Sequence, residues 1–464
     1  MRKLVAVVVL MFAGACRSYA PPHVRPDLPT AAEYPAEAAG DPNAGTPAPR
    51  IAWRDFFVDE RLETLITAAL EQNREMAIAV AQIELARGIY RIQDANRLPT
   101  VVAGADTAIG RAGGVTTDRH SIGVGVSAFE LDFWGRVRNL SEAARSEYLA
   151  TVEGQRAFRL VLLREVAATY LISLELAERI ALAEATVTSR EEGLEIARVR
   201  LESGTTSALE FRQAETLLTQ AQTELAGLRL ARARNENALA VLVGGAVPAP
   251  LPAAVPLEQQ VTAQTLAPGL PSELLTVRPD IVAAEERLRG ARADIGAARA
   301  AFFPSIALTG NFGFASTELS GLFGSDGLTW SVGPASVTLP IFNRGRLHGN
   351  LTVAEANEDI AVADYELTVQ NAFREVADAL AGRRYLAEQV AAQERGTRAQ
   401  RVIADLARTR YREGVVSYLE VLDAERNLFA AEQALVSLRR SQADNLVTLY
   451  VALGGDGGTA RPQS

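Results

Sequence analysis

The sequence predicts a mainly α fold with membrane β-strands. It combines long antiparallel helical hairpins, four strands per chain and an internal tandem duplication. Three observations support this prediction. The second half of the chain repeats the first, each half contains a long proline-free run of helix-forming residues, and each half contains two short runs in which apolar and polar residues alternate.

The duplication is visible by direct alignment. Residues 200–245 align with residues 410–455 at an offset of 210 without a gap, and 18 of 46 positions are identical. Further upstream the offset becomes 205, where 95–101 faces 300–306. A fixed internal offset is typical of two equivalent structural units.

Each repeat is expected to contain an entry helix, two strands, a long helix, a tip turn and a return helix. The predicted boundaries are 1–15 for a signal peptide, 16–60 for a lipid-anchored extended segment, 61–245 for the first repeat, 246–272 for a proline-rich linker between the repeats, 273–455 for the second repeat and 456–464 for a disordered tail. Within the repeats we expect strands at 99–133 and 304–341, and long helices at 137–202 and 346–413.

The long helices are predicted from composition. Residues 138–202 and 347–413 contain no proline and are rich in Ala, Leu, Glu and Arg. At 1.5 Å per residue, a run of about 65 residues forms a helix of roughly 100 Å. The return segments carry apolar residues at alternating spacings of three and four, such as Ala221, Leu225 and Leu228. This spacing favours packing against a partner helix, as in a hairpin.

The strands are predicted from a period of two. Residues 305–315 place Phe312 and Phe314 on one face and polar or small residues on the other, over about the ten residues that a tilted strand needs to cross a bilayer. A soluble sandwich would also alternate. Four strands cannot close a barrel in lipid, so we expect three chains to supply twelve. The apolar phase flips near Phe129 and Val337, where we expect each second strand to leave the lipid.

The N-terminus has the features of an export signal. Arg2 and Lys3 precede an apolar run, 4–12, and small residues precede Cys16. This arrangement resembles the bacterial lipoprotein signal, in which the cysteine is acylated. Cleavage after Ala15 by ordinary signal peptidase is the alternative.

Composition excludes several classes of function. The formal charge of -9 is spread along the chain without a basic block, which excludes nucleic acid as a partner. Three scattered histidines and one cysteine indicate neither a metal site nor a disulfide. No cofactor is expected, and we predict that the protein is not an enzyme, because no nucleophile, base or nucleotide-binding loop stands out.

The same glycine turn ends both long helices. Gly204 and Gly414 are expected to be C-cap glycines, and Ser207 and Ser417 are expected to be N-caps of the return helices. The residues of the two tip turns are Gly204, Thr205, Thr206 and Ser207 in the first repeat and Gly414, Val415, Val416 and Ser417 in the second. One interpretation is that these residues only fold a helical hairpin.

The second tip carries residues that the first lacks. Glu420 and Asp423 are three positions apart and share one helix face, whereas the first repeat has Gln213 at the position of Asp423. Threefold symmetry would gather six carboxylates, which would favour cations. Stabilisation of the helix dipole is the alternative explanation for these carboxylates.

Three stretches carry a family resemblance: RPDIVAAEERLRGARADIGAARAAFFPSIALTG at 278–310, LPIFNRGR at 339–346 and EGVVSYLEVLDAE at 413–425. With them, nearly the whole mature chain resembles the TolC-like outer-membrane efflux channels of the lipoprotein type that serve RND pumps, the NodT group. The family implies a homotrimer with a 12-stranded β-barrel in the outer membrane and a 12-helix α-barrel in the periplasm.

The resemblance also implies a function and a location. The chain would be a passive exit duct for small molecules such as drugs, toxic compounds or metals, delivered by an inner-membrane RND pump through a periplasmic adaptor that docks at the tip turns. It would be lipid-anchored at Cys16 in the outer membrane and extend into the periplasm. Two alternatives stay open: the duct of a type I protein secretion system, and a periplasmic coiled-coil scaffold without a pore.

The resemblance assigns gate roles to individual residues. Glu420 and Asp423 match the acidic constriction ring, Tyr411 matches a gate tyrosine, and Glu210 matches the acid that this tyrosine bonds on the neighbouring hairpin. The family's second link uses a basic residue where this chain has Val416, so that link is expected to be absent or replaced.

Overall fold

The computed structural model describes residues 18–27, 30, 31, 34, 45–260, 266, 267, 271–333 and 335–455. The predicted signal peptide, the lipidation site Cys16 and the predicted tail at 456–464 lie outside the described residues, as do 261–265 and 268–270 of the linker.

The chain divides into two compact units. The first, the strand unit, contains 18–27, 81–153 and 282–368 of the described residues, and the second, the hairpin unit, contains the rest. Both repeats contribute to both units, because each long helix begins in the strand unit and ends in the hairpin unit.

The described helices follow the predicted order in each repeat. The first repeat has an entry helix at Arg74–Ala95, a long helix at Arg136–Glu202 and a return helix at Ala208–Val243. The second has an entry helix at Pro279–Ala300, a long helix at Arg346–Arg412 and a return helix at Tyr418–Ala452. Shorter helices lie at Trp53–Phe56, Glu60–Gln72 and Pro271–Val277, with 3-10 turns at Ala48–Arg50, Leu257–Gln259 and Leu319–Gly321. The predicted mainly helical architecture is confirmed.

Apolar stripes hold the hairpins together. In the first hairpin, Leu225 and Leu228 of the return helix pack against Leu176 and Ile180 of the long helix. In the second hairpin, Ala404 and Ala407 of the long helix pack against Val421 and Ala424 of the return helix. The apolar stripe of the return helix therefore packs against the long helix of the same hairpin, which is the partner helix that its spacing predicted. No helix in the described part of the chain is long and apolar enough to cross a membrane.

A buried carboxylate joins distant segments of the hairpin unit. Asp59 is fully buried and caps the helix Glu60–Gln72 by accepting a hydrogen bond from the Arg61 amide. Its other oxygen accepts from the Tyr170 hydroxyl at 2.7 Å, the Gln260 side chain at 2.6 Å and the Val255 amide at 3.1 Å. These donors satisfy the charge, so Asp59 ties the first long helix to the linker.

The strand unit contains an antiparallel sheet. Its strands are β2 at Val101–Ala112, β3 at Val115–Glu130, β5 at Ser305–Ser316, β6 at Leu328–Val332 and β7 at Ser336–Thr338. They pair in the order β2-β3-β5-β6, and β7 also pairs with β5. A second, two-stranded sheet in the hairpin unit pairs β1 at Thr46–Pro47 with β4 at Leu266–Ala267 in parallel. The pairing of β3 with β5 joins the two repeats in one sheet.

A bulge explains the apolar phase flip in the first repeat. Val126 pairs with Gly310 and Phe129 pairs with Leu308, so β3 contains one more residue than its partner over this stretch. Ala128, inside the bulge, has a φ of 53°. One extra residue moves every later side chain to the opposite face. In the second repeat, Gly333, with a φ of 112°, separates β6 from β7 near the corresponding flip.

Candidate functional site

Both tip turns are closed by the same hydrogen bonds. In the first turn the Thr205 amide donates to the Arg200 carbonyl at 2.9 Å, and the Gly204 amide donates to the Leu201 carbonyl at 3.0 Å. The second turn repeats both bonds, from the Val415 amide to the Arg410 carbonyl at 2.9 Å and from the Gly414 amide to the Tyr411 carbonyl at 3.0 Å. The φ values are 69° at Gly204 and 74° at Gly414. This is the Schellman arrangement, which favours glycine because the backbone is left-handed there.

The two return helices begin differently at the level of side chains. Ser207 and Ser417 both occupy the N-cap position. The Ser207 hydroxyl accepts a hydrogen bond from the Glu210 amide at 3.3 Å, whereas the Ser417 side chain makes no capping bond. The Glu210 carboxylate accepts from the Thr206 hydroxyl. The predicted side-chain cap is therefore present in the first repeat and absent in the second.

Tyr411 contacts an arginine on the first hairpin. The Arg200 guanidinium donates to the Tyr411 hydroxyl, and its central carbon lies 4.7 Å from the centroid of the tyrosine ring. A cation over an aromatic ring contributes about 0.5–1 kcal/mol at exposed sites and more when water is excluded. Within this chain the Tyr411 hydroxyl accepts from Arg200 and the Glu210 carboxylate accepts from Thr206. The predicted bond between Tyr411 and Glu210 stays a prediction.

The two candidate constriction carboxylates lie on the surface and pair within their own hairpin. Glu420 accepts from Arg410 at 2.8 Å, with both side chains about half exposed. Asp423 accepts from Arg426, one turn later on the same helix, and from Asn427 at 3.3 Å. Exposed pairs of this kind contribute about 0–1 kcal/mol each. Both carboxylates are therefore open to solvent and to ions.

A buried ion pair joins the hairpins further from the tip. Glu425 pairs with Arg190 of the first long helix at 3.1 Å and with Arg408 of its own hairpin at 2.9 Å. The Arg190 side chain is 5% exposed and the Glu425 side chain 12%. Removing one partner of such a pair leaves a buried charge and costs about 3–5 kcal/mol.

Tyr418 fills a gap on the first long helix next to this pair. Its hydroxyl lies so close to Gly193 that a Cβ at this position would overlap it. Burial, together with the nearby Glu425 carboxylate, raises the pKa of Tyr418 to about 12, so the hydroxyl stays protonated. The Tyr418 and Tyr411 rings have centroids 5.0 Å apart.

Sequence reasoning missed the partners on the first long helix. Arg200 was visible only as the match of Arg410, and Arg190 and Gly193 have no matched counterparts in the second repeat, which has Gln400 and Ile403 there. The signal that could have found Arg190 and Gly193 is this loss of symmetry at two positions three residues apart on one helix face, whereas Arg200 gave no such signal because Arg410 matches it.

The sheet of the strand unit has two different faces. In the paired register, Ala103, Val124, Phe312 and Trp330 form one row across the four strands, and Ala105, Ile122, Phe314 and Leu328 form the next row on the same face. Between these rows, on the opposite face, lie Gly104, Gly123, Gly313 and Thr329. Trp330 is 71% exposed and Phe312 57%. One face is thus apolar and exposed, and the other is small and polar.

The described residues hold no group of three or more His, Cys, Asp or Glu side chains that could bind a metal ion.

Comparison with known proteins identifies the family. The model of the family described as outer membrane efflux protein matches residues 65–245 and 270–455, one match in each repeat. The chain belongs to the outer membrane efflux protein family. It is an outer-membrane efflux channel with a TolC-like fold, which confirms the channel prediction over an enzyme or a scaffold without a pore.

Individual relatives agree over almost the full length. The chain is 41% identical to the solvent efflux pump outer membrane protein SrpC of Pseudomonas putida, over 98% of both proteins. It is 38% identical to the cation efflux system protein CusC of Escherichia coli strain K12, over 98% of this chain and 99% of CusC.

Solved structures share the fold. The open state of the Neisseria gonorrhoeae MtrE outer membrane channel superposes with a TM-score of 0.86 at 38% identity, covering 95% of this chain and 98% of that one. A membrane protein from Pseudomonas aeruginosa superposes with a TM-score of 0.87 at 38% identity, covering 94% of this chain and all of that one.

Proposed function

We propose that three copies of the chain form a passive outer-membrane exit duct for small molecules. An inner-membrane RND pump would deliver the substrate through a periplasmic adaptor that contacts the tip turns at 204–207 and 414–417. The relatives named for solvent and cation efflux support small molecules as the substrate class. The energy for transport would come from the pump, because the channel family is not enzymatic.

One observation carries the proposal: the sheet has an exposed apolar face, an opposite face of small and polar residues, and two open edges, β2 on one side and β6 followed by β7 on the other. Exposed rows of Phe, Trp and Leu are unfavourable in water and favourable in lipid. The edge strands of a sheet in lipid need pairing partners, because their backbone N–H and C=O groups find no water there. Two further copies would supply them and close a 12-stranded barrel around the polar face.

We place Glu420 and Asp423 at a constriction of the duct. Both carboxylates are exposed on one face of the second return helix, close to the tip turn. Three copies would gather six of them, and a ring of carboxylates favours cations. Anchoring by acylation of Cys16 completes the proposal and would keep the mature N-terminus at the membrane.

Reconstitution into planar lipid bilayers tests the duct. The purified protein should be a trimer in detergent by light scattering and should produce discrete conductance steps. Exchanging Glu420 and Asp423 together for alanine should reduce cation selectivity. Monomeric protein, or protein that produces no conductance, would contradict the duct, whereas unchanged selectivity would remove only the constriction assignment.

Mass spectrometry of the mature N-terminus tests the anchor. Acylation predicts a diacylglyceryl mass increment on Cys16. A mature chain that starts at an unmodified Cys16 would indicate cleavage by ordinary signal peptidase.

A further inference from the structure

The two strand connections of the sheet differ between the repeats. In the first repeat, β2 and β3 are joined by a tight turn at Gly113 and Gly114, whose φ values are 60° and 86°. In the second repeat, β5 and β6 are joined by a longer loop at 317–327, which contains the 3-10 turn Leu319–Gly321. Because the strands are antiparallel, both connections lie at the end of the sheet opposite the long helices.

A series of turns gives the second connection a defined shape. The Gly321 amide donates to the Glu318 carbonyl at 3.1 Å, and the Gly324 amide donates to the Gly321 carbonyl at 3.0 Å. The Gly327 amide then donates to the Gly324 carbonyl at 3.1 Å. A Cβ at Gly327 would lie 2.4 Å from the Leu322 carbonyl oxygen, so the backbone closes on itself there. The Leu322 side chain is buried within this fold.

Two large apolar side chains of the same loop are exposed. Leu319 is 67% exposed and Phe323 is 71% exposed. The Phe323 ring packs edge-on against Phe314 of β5, with ring centroids 5.6 Å apart. Phe314 lies on the exposed apolar face of the sheet, paired with Leu328 of β6. The loop therefore continues the apolar face beyond the ends of β5 and β6.

The loop also covers the last polar side chain of β5. The Ser316 hydroxyl accepts a hydrogen bond from the Glu318 amide at 3.2 Å. A Cβ at Gly321 would lie 2.9 Å from the same hydroxyl, so the loop backbone passes directly over it. A polar group that is paired within the protein can enter lipid at a lower cost than an unpaired one.

The charges of the loop lie at its base. Residues 319–325 contain no charged side chain, and the flanking acidic residues are Glu318 and Asp326. An apolar segment with charged flanks is suited to the boundary between acyl chains and water, where Phe and Leu enter the lipid and charged groups stay outside.

We propose that the loop at 317–327 inserts Leu319 and Phe323 into the outer leaflet of the outer membrane, where they contact acyl chains. The inference rests on the proposed duct, which turns the apolar face of the sheet to lipid and places this end of the sheet on the outer side of the membrane. Because Phe323 continues the face that begins at Phe314, the same lipid layer covers both. The loop would fix the depth of the barrel, whereas the turn at Gly113 and Gly114 has no side chains for this role.

The accessibility of nitroxides to paramagnetic reagents tests the insertion in the full-length chain. Nitroxides are placed on single cysteines, Leu319→Cys and Phe323→Cys, in a Cys16→Ser background, and the protein is reconstituted into vesicles of phosphatidylethanolamine and phosphatidylglycerol. Oxygen concentrates among acyl chains, whereas nickel ethylenediaminediacetate stays in water. The ratio of the two accessibilities should match that at Phe312 in the sheet and should exceed severalfold the ratio at Ser325 of the same loop.

Phe323→Asp tests whether the apolar side chain holds the loop in lipid. A carboxylate is unfavourable among acyl chains, so the ratio for a nitroxide at Leu319 should fall toward that at Ser325. Ser325→Asp is the matched control, because it adds the same charge to the same loop at an exposed polar position. Equal ratios in the two variants would count against the role of Phe323. If Phe323→Asp does not fold, Phe323→Ser makes the same comparison without the charge.

The reference position in the sheet separates the loop from the duct. Water-like ratios at 319 and 323, with a lipid-like ratio at 312, overturn the insertion and leave the duct in place. Low accessibility to both reagents at 319 and 323 also overturns it, because a neighbouring copy would then cover the loop. A water-like ratio at 312 contradicts the duct itself, on which the inference rests.

Discussion

The two entry helices occupy matched positions in the duplicated sequence and have different surroundings in the strand unit. The first exposes Leu85, Ile89 and Ile92, each at least half exposed. The second buries Leu288 and Ile295 completely. An extended N-terminal strap, formed by residues 18–27, lies along the second helix only.

The strap runs antiparallel to the second entry helix. Tyr19 stacks on Phe303 with ring centroids 4.8 Å apart, and further along the strap the Arg292 guanidinium donates to the Val24 carbonyl at 2.8 Å. Arg25 then pairs with Glu285, which accepts from its guanidinium at 3.0 Å. Successive strap residues thus contact earlier turns of the helix.

Two matched positions differ between the entry helices where the strap contacts the second one. A Cβ at Gly296 would meet the Ala20 amide nitrogen at 2.8 Å and the Asn139 side chain at 2.6 Å. The first entry helix has Arg91 at the matched position, and Val80 where the second has Glu285. The second entry helix therefore has the space and the carboxylate that the strap uses, and the first has neither at the matched positions.

Gly296→Leu should have the largest effect on the binding of the strap to the second entry helix. The new side chain would occupy the space of Ala20, so we expect release of the strap. The measurement is the mobile fraction of a nitroxide at the exposed Val24 position, in a Cys16→Ser background. Gly88→Leu, in the first entry helix, is the control, because nothing lies within 4 Å of a Cβ there. A strap that stays immobile in Gly296→Leu would refute this account.

Glu285→Gln should have the next largest effect. The carboxylate accepts from Arg25 and His23, both at 3.0 Å, and only 9% of it is exposed. Loss of its charge should cost about 2 kcal/mol of docking free energy, the range for hydrogen bonds to charged groups. Glu286→Gln is the control, because Glu286 pairs with Arg289 of the same helix. Equal mobility in the two variants would count against the role of Glu285.

Acidification should release the strap through the same carboxylate. Burial raises the pKa of Glu285, but the hydrogen bonds from Arg25 and His23 outweigh burial and hold it below its ordinary value of 4.5. A lowered pKa contributes stability above the ordinary value that is lost as pH falls through the lowered one. The nitroxide at Val24 should therefore be immobile at neutral pH and become mobile below about pH 4.5. In Glu285→Gln this dependence should be much weaker.

Ser18→Ala should produce the smallest effect. The Ser18 hydroxyl donates to the Asn139 side chain at 2.9 Å at a partly buried position. A neutral hydrogen bond of this kind contributes about 0.5–1 kcal/mol. The mobile fraction should increase only a few-fold, and an effect as large as that of Glu285→Gln would show that the strap is held mainly at its start.

Local patterns predicted most of the fold. The tip turns formed around Gly204 and Gly414 as expected, because a left-handed residue at the end of a helix selects glycine regardless of what packs nearby. The alternation in 305–315 predicted a strand, and the change of apolar phase near Phe129 coincides with a bulge. These signals span a few residues and depend only on backbone geometry.

The candidate site was predictable in its residue types and not in its partners. The acidic pair Glu420 and Asp423 and the tyrosine Tyr411 could be selected from one repeat by comparing it with the other. The side chains that form hydrogen bonds and ion pairs with these residues could not be identified in this way. Arg200 was expected to be no more than the match of Arg410, and the predicted cap at Ser417 lacks its side-chain bond.

The sequence by itself determined the duplication, the hairpins and the strand alternation. The duplication is a direct repeat of residues, and the helices and strands follow from the short spacing of their apolar residues. Only the tertiary structure decided that Arg200 meets Tyr411, 211 residues away, and that the strap lies on the second entry helix. Such contacts depend on which helix faces meet, and the two entry helices differ there, for example by Gly296 in the second and Arg91 in the first.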